Sequence, residues 1–320
     1  MNKWKMNCGG VVQMKHVVSV SIGSSKRDHR VELDFNGEKI IVERIGTDGD
    51  MKKAMEIIKN LDGKVDAFGM GGIDLYLRAG SKRYIIKDAL QLKNAAKITP
   101  MVDGSGLKSS LERNLPSYIN DNIMPLKGKK AFILTAVDRY GLAEGFDEEG
   151  CSLILGDILI ALGFNIPIYT LKKLERIASI VAPLACRLPF NMLYPTGKAQ
   201  NKNENFAGKY DKYFNMSDII AGDFHYIKRF LPMDAGGKMI VTNTVTRDDI
   251  LWLKERNAGI LITSTPNLSG RSFGTNVIEA LVVAILEKHP DDIKNEDYLN
   301  VLRNLDFRPH VINLKDLKAS

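Results

Sequence analysis

SDIIAGDFH (Ser217–His225), KMIVTNTVTRDD (Lys238–Asp249) and GILITSTPNLSGRSFGTN (Gly259–Asn276) share one design. Each is an apolar, β-branched run that ends in a short loop of Gly, Ser, Thr, Asn or Asp. The unit occurs earlier as VVSVSIGSSKR (Val17–Arg27), KVDAFGMGGID (Lys64–Asp74), TPMVDGSGLK (Thr99–Lys108) and AFILTAVDRYG (Ala131–Gly141). Uninterrupted apolar runs of about four to eight residues read as strands buried on both faces. Open α/β sheets bind ligands at the carboxyl ends of such strands, where these loops fall. The repeated unit therefore predicts an α/β protein and places its site among the loops.

Working outward, residues 1–13 read as an extension, because MKHVVSVSIG from Met14 opens directly into a strand. Residues 14–125 read as a mixed-sheet α/β domain with hairpins. One hairpin flanks Asn36-Gly37, a dipeptide that suits the two positive-φ positions of a tight turn. A second flanks Ala79-Gly80-Ser81-Lys82. Asp48 caps a helix running to Asn60, and Asp88 a short helix to Lys97. Beyond Pro125 and Gly128, residues 126–290 alternate strand and helix strictly, which predicts a Rossmann-like parallel-sheet domain. Its strands are Ala131–Val137, Ile166–Tyr169, Asp218–Ala221, Met239–Thr242 and Ile260–Thr263. Its helices include Ser152–Leu162, Leu174–Leu184 and Thr275–Glu287. Leu188–Asp211 reads as a long irregular functional loop. Residues 291–320 read as a peripheral segment with a helix and a short strand.

Composition narrows the class. Of 320 residues, 44% are apolar and 26% charged, a globular balance. The formal charge of +7 suits an anionic small-molecule ligand, and reads equally as a lysine-rich solvated surface. No Arg/Lys stripe interleaved with aromatics points to nucleic acid. Three separated cysteines and five scattered histidines give neither a disulfide framework nor metal-ligand spacing. No apolar run reaches the roughly 20 residues of a membrane span, and no signal-peptide core is present. A cytoplasmic location is the expectation. Apolar helices in the second half are consistent with a homodimer.

Four loops carry side chains suited to chemistry. Ser269, Gly270, Arg271, Ser272, Gly274 and Thr275 lead into an apolar helix. Glycines there let backbone N–H groups approach an anion, the helix N-terminus adds positive potential, and Arg271 adds a fork of donors. Asp103, Ser105 and Lys108 repeat the design, and Ser24, Ser25 and Lys26 end the first strand with hydroxyls and a cation. Asp223 beside His225 is an acid–base pair in reach of a strand end. Each of these also reads as a capped turn, and Asp138 and Arg139 as an internal ion pair.

Gly46-Thr47-Asp48-Gly49, a helix, and then KVDAFGMGG (Lys64–Gly72) resemble the shikimate/quinate dehydrogenase family. With MGGID, VDGSGLK and GRSFGTN the chain is also similar to bacterial proteins labelled quinate 5-dehydrogenase. The resemblance implies an NAD- or NADP-dependent oxidoreductase of a small cyclic hydroxy acid. Asp48 is then a catalytic residue, and Gly69, Gly71 and Gly72 form the nucleotide turn. Lys108, Asp223 or His225 is a further acid–base group. Two alternatives stand beside it: a transferase or lyase acting on a phosphorylated or carboxylated molecule without nicotinamide, and a binding protein for such a molecule. The scaffold alone selects none of them.

Overall fold

The computed structural model describes residues 14–80, 82–188, 208–243, 245–264, 267–268, 271–272, 274–305 and 307–317. Two sheets organise them. The first contains β1 (Lys15–Ser21), β2 (His29–Phe35), β3 (Glu38–Gly46), β4 (Ala67–Gly71) and β7 (Met101–Val102) in the order β2-β3-β1-β4-β7. β1, β3, β4 and β7 are parallel, and β2 returns antiparallel through the expected turn, with Asn36 at φ 53° and Gly37 at φ 84°. α1 (Met51–Leu61) and α2 (Lys87–Ala95) cover one face. There Val18, Val20, Phe68 and Met70 meet Ala54, Ile58 and Leu92. Strand residues alternate faces, so Val17, Val42 and Ala67 point the other way.

That other face is covered from far along the chain. α11 (Thr275–Leu286) is buried from Val277 to Ala284 and packs on β1 and β4, and α12 (Asn295–Asn304) supports it. A helix apolar all round needs burial on all sides. The boundary expected at residue 290 therefore does not follow the packing, because 275–304 complete the first unit.

The second sheet contains β8 (Lys130–Ile133), β9 (Ser152–Leu155), β10 (Ile219–Ala221), β11 (Met239–Thr242), β12 (Ile260–Thr263) and β15 (His310–Asn313). Their order is β15-β12-β11-β10-β8-β9, parallel except for β15. Numbered along the chain, the parallel strands run 2-1-3-4-5. This is a doubly wound sheet, but not the 3-2-1-4-5-6 order of dinucleotide domains. Phe132, Ile220, Ile240 and Leu261 pack on α8 (Asp211–Met216), α9 (Phe224–Phe230) and α10 (Arg247–Glu255). Ile133, Ala221, Val241 and Ile262 face α4 (Arg113–Asn122) and α5 (Tyr140–Glu148). The protein is thus α/β in both units. Among the described residues no helix is long and apolar enough to cross a membrane.

Three local expectations change. Ser152–Leu162 is not one helix: it is β9, then Gly156, then the short α6 (Asp157–Ala161). Pairing of Leu153, Ile154 and Leu155 with β8 overrides their helical propensity. Ile166–Tyr169 contributes one bridge, Ile168 to Leu155. The tail strand β15 extends the sheet edge beside β12 instead of lying peripherally. The expected extension 1–13 and most of the loop 188–211 lie outside the described residues.

α11 also buries Glu279, 4% exposed, whose Oε1 accepts from the Tyr298 hydroxyl (2.9 Å) and the Gly106 N–H (3.2 Å). Burial, with Asp103 nearby, pushes this carboxyl up to about 8. The folded state therefore holds a proton that the unfolded chain releases near pH 4. Stability is fully present below that point and is lost as pH rises through about 8. Thermal midpoints measured from acid to alkaline pH should fall, and Glu279→Gln should make the fall shallower; an unchanged slope would remove Glu279 from the account.

Candidate functional site

The site begins in the helix that leaves the first sheet. α3 (Ser105–Leu107) runs into a π-helical segment, Lys108–Glu112, and then into α4. Pro116 explains the wide turn: it has no N–H for the Glu112 carbonyl four residues back, and its ring crowds that carbonyl. Lys108 and Glu112, four apart, both project into the space between the two units.

Asp74 from the first unit and Asp138, Arg139, Asp223 and Asn243 from the second meet around them there. Lys108 Nζ lies 2.8 Å from Asp74 Oδ2 and 3.3 Å from Asp138 Oδ1. Asp74 comes from the loop after β4, and Asp138 and Arg139 from the loop after β8. Arg139, 4% exposed, pairs with Glu112, with Asp223 Oδ2 at 3.1 Å and with Asp138 Oδ2 at 3.4 Å. Asn243 Nδ2 donates to Asp223 Oδ2 (2.9 Å), and Asp223 caps α9 by accepting from the His225 N–H (2.9 Å). The strand-end groups sit between β8 and β10, where the strand order reverses, the position at which open α/β sheets hold ligands.

Burial opposes every charge in this cluster, and the partners decide which survive. Asp74 is pushed up to about 8: burial and the Asp138 carboxylate outweigh Lys108. Burial acts on Asp138 too, but Lys108 and Arg139 together hold it well below the usual carboxylate range. Burial likewise opposes the Lys108 and Arg139 charges, yet the surrounding carboxylates raise both above their ordinary values. Burial raises Glu112 against the pull of Arg139.

A cavity opens over Lys108. Its walls are Asp74, Tyr76, Arg78 and Arg83 from the first unit, Ser105 and Ser109 from the connecting helix, and Asp138 and Tyr140 from the second. Tyr76, Arg78 and Arg83 belong to the hairpin β5 (Tyr76–Ala79) and β6 (Lys82–Ile85). Arg78 is anchored through Nε to the Gly80 carbonyl (3.0 Å), and Arg83 lies 5.7 Å over the Tyr76 ring. Across the cavity the Tyr140 hydroxyl donates to Glu175 of α7 (Leu171–Ala185).

Of the residues singled out from sequence, Lys108 and Asp223 share this network and Ser105 lines the cavity. Asp103 is buried below it, accepting from Leu75 N (2.6 Å) and Ser105 N (3.0 Å). The others take different roles. Asp48 neither caps α1, which Asp50 does, nor joins Lys108. Its carboxylate accepts from Ser25 N (2.8 Å) and Ser25 Oγ (2.7 Å), and these bonds hold it below the usual range. Ser24 caps a short turn at Lys26. The His225 side chain is exposed.

Gly69, Gly71 and Gly72 lead into the β5–β6 hairpin, not into a helix. Each is packed against protein: a Cβ at Gly69 would lie 2.7 Å from Asn276 O, at Gly71 2.8 Å from Ser21 Cβ, and at Gly72 2.9 Å from Ile22 Cγ1. These residues do not fit a dinucleotide cradle. Where the anion cradle is expected, the N-terminus of α11 is packed against protein. Gly274 is its N-cap, Thr275 is buried, and Gly104 approaches so closely that a Cβ there would lie 2.6 Å from Thr275 Oγ1. β14 (Arg271–Ser272) pairs with β13 (Asn267–Leu268), and Ser269 and Gly270 lie outside the described residues.

Asp74, Glu112 and Tyr140 were not singled out. Their only sequence signal was position: Asp74 stands three residues after a Gly-rich strand end, and Glu112 four residues after Lys108.

No curated protein matches the chain. Similar solved structures include a periplasmic ribose ABC transporter from Conexibacter woesei, at 13% identity and TM-score 0.40, covering 92% of this chain and 97% of that one. GanP, a glucose-galactose binding protein from Geobacillus stearothermophilus, has 11% identity and TM-score 0.36, covering 96% and 100%. A hetero-hexameric glutamate dehydrogenase from Thermus thermophilus has 9% identity and TM-score 0.44, covering 92% and 75%. Residues 16–103 match a family described as Domain of unknown function (DUF8753). Residues 106–314, most of the chain and all of the connecting helix from Gly106 onward, match a second model, and the chain belongs to that family, described as Domain of unknown function (DUF8754).

Proposed function

We propose that this protein binds a small carboxylated or phosphorylated molecule in the cleft between its two α/β units. The observation that carries the reading is the cavity wall: Arg78, Arg83 and Lys108 converge on one space at the carboxyl ends of both sheets. Planar guanidinium forks match carboxylate and phosphate oxygens, and an ammonium supplies a point charge. Asp74 and Asp138 keep the floor from being purely cationic, which suits a ligand that also carries hydroxyl or carbonyl groups.

Thermal-shift titration with small carboxylates, sugar phosphates, NAD+ and NADP+ tests it. A carboxylate or phosphate at about 100 times its Kd should add roughly 2.7 kcal/mol. Arg78→Ala and Arg83→Ala should each weaken that ligand about tenfold or more, since a hydrogen bond to a charged group contributes about 1.5–3 kcal/mol. Ligand affinity unchanged in both variants would overturn the reading. A response to dinucleotides alone would replace it with an oxidoreductase.

A further inference from the structure

The floor of the cleft is built for more than holding an anion. Asp74, Lys108 and Asp138 retain 20, 14 and 21% side-chain exposure, all toward one cavity in an otherwise buried cluster. An ammonium has three N–H donors. Lys108 directs two of them to Asp74 and Asp138, which leaves one for an oxygen in the cavity. The two aspartates differ in their anchoring. Asp138 is held by Lys108 and by Arg139. Asp74 has Lys108 as its one ion-pair partner among the described residues, and the negative charges of Asp138 and Asp103 act against its ionised form. Tyr76, Arg78 and Arg83 face it from the hairpin, and Tyr140 from α5.

We propose that this floor catalyses proton transfer at the carbon beside the carbonyl of an anionic oxo acid, with Asp74 as the base and the Lys108 ammonium holding the enolate oxygen. The proposal rests on the preceding reading that Arg78 and Arg83 bind the carboxylate. In the step, the C–H bond next to the carbonyl breaks and its proton passes to Asp74. The released electron pair becomes the carbon–carbon double bond, and the carbonyl π pair moves onto the oxygen, which Lys108 stabilises. Return of a proton from Asp74 to carbon closes the cycle, so no co-reactant is consumed.

The electrostatics agree with these roles. Burial strengthens Asp74 as a base by lifting its proton affinity to a neutral-range value of about 8. The carboxylates around Lys108 keep it protonated, as an oxyanion partner must be, and not a free amine for imine formation.

The experiment incubates the full chain in D2O with pyruvate, 2-oxobutyrate and 2-oxoglutarate, and follows loss of the proton signal beside the carbonyl by NMR. Thermal shift is read on the same samples. Expected is exchange about 100-fold or more faster with the wild type than with Asp74→Asn. Wild-type exchange should rise with pH and level off above about 8, as Asp74 becomes ionised. That profile keeps the test decisive if Asp74→Asn does not fold, because a pH-independent enzymatic rate overturns the assignment of the base. A probe that shifts the midpoint but exchanges no faster than with Asp74→Asn overturns the inference and leaves the binding reading intact. If no oxo acid shifts the midpoint while another carboxylate or phosphate does, the inference falls alone. If no anion shifts it, both fall.

Discussion

Replacing Arg139 by methionine should lower the thermal midpoint by about 10 °C, the largest stability loss expected from a single polar substitution here. Arg139 is 4% exposed and serves Glu112, Asp138 and Asp223 together. Glu112 is itself only 2% exposed, and its Oε2 has no hydrogen-bond partner, so it depends on the guanidinium. Removing one member of a buried ion network costs about 3–5 kcal/mol, because the partners stay buried without compensation. Methionine keeps most of the volume, so the loss measures charge and not packing. Adding Glu112→Gln to Arg139→Met should recover part of it, and the double-mutant cycle gives the coupling directly. A single-variant loss below about 1 kcal/mol would mean that water already satisfies these carboxylates.

The second large effect is expected at Gly69. The strand β4 can lie against the first turn of α11 only because position 69 has no side chain. An added Cβ would sit 2.7 Å from Asn276 O and 3.1 Å from Asn276 Nδ2, which donates to Ser19 Oγ at 2.7 Å. Gly69→Ala must push α11 off the sheet or break that bond, an overpacking cost of about 1–3 kcal/mol. Calorimetric melting should show it, with the affinity for cleft anions unchanged. Normal stability combined with loss of dinucleotide binding would instead restore Gly69 to a nucleotide turn.

Much of the scaffold was legible because it depends on local chemistry. Asn36-Gly37 marked its hairpin, and the runs around Ile220, Ile240 and Ile262 read as buried parallel strands. SLILGDILIAL misled because apolar runs this short suit a strand and a helix alike, and the pairing with β8 that decides between them is not local. The site was half legible for the same reason. Lys108 and Asp223 stood out beside strand ends, but the pair that joins them, Asp138 on Lys108 and Arg139 on Asp223, lies 30 residues after the one and 84 before the other. The glycines at 69–72 looked like a phosphate turn because a close backbone approach has the same signature whether the neighbour is a ligand or a helix. That the neighbour of Gly69 is α11, about 200 residues later, and that of Gly71 and Gly72 the end of β1, about 50 residues earlier, is a fact of topology.

That topology also sets a timetable for synthesis. The strands of the first sheet are complete by Val102, but the face formed by Val17, Val42 and Ala67 waits for residues 275–286 to cover it. At about 5–20 residues per second, a ribosome needs roughly 9–37 s to deliver them. During that interval the nascent amino-terminal half exposes a greasy, strand-built surface while the second unit is still emerging. A chain truncated before α11 keeps every strand of the first sheet and lacks its cover, so it should be a client for holdase chaperones.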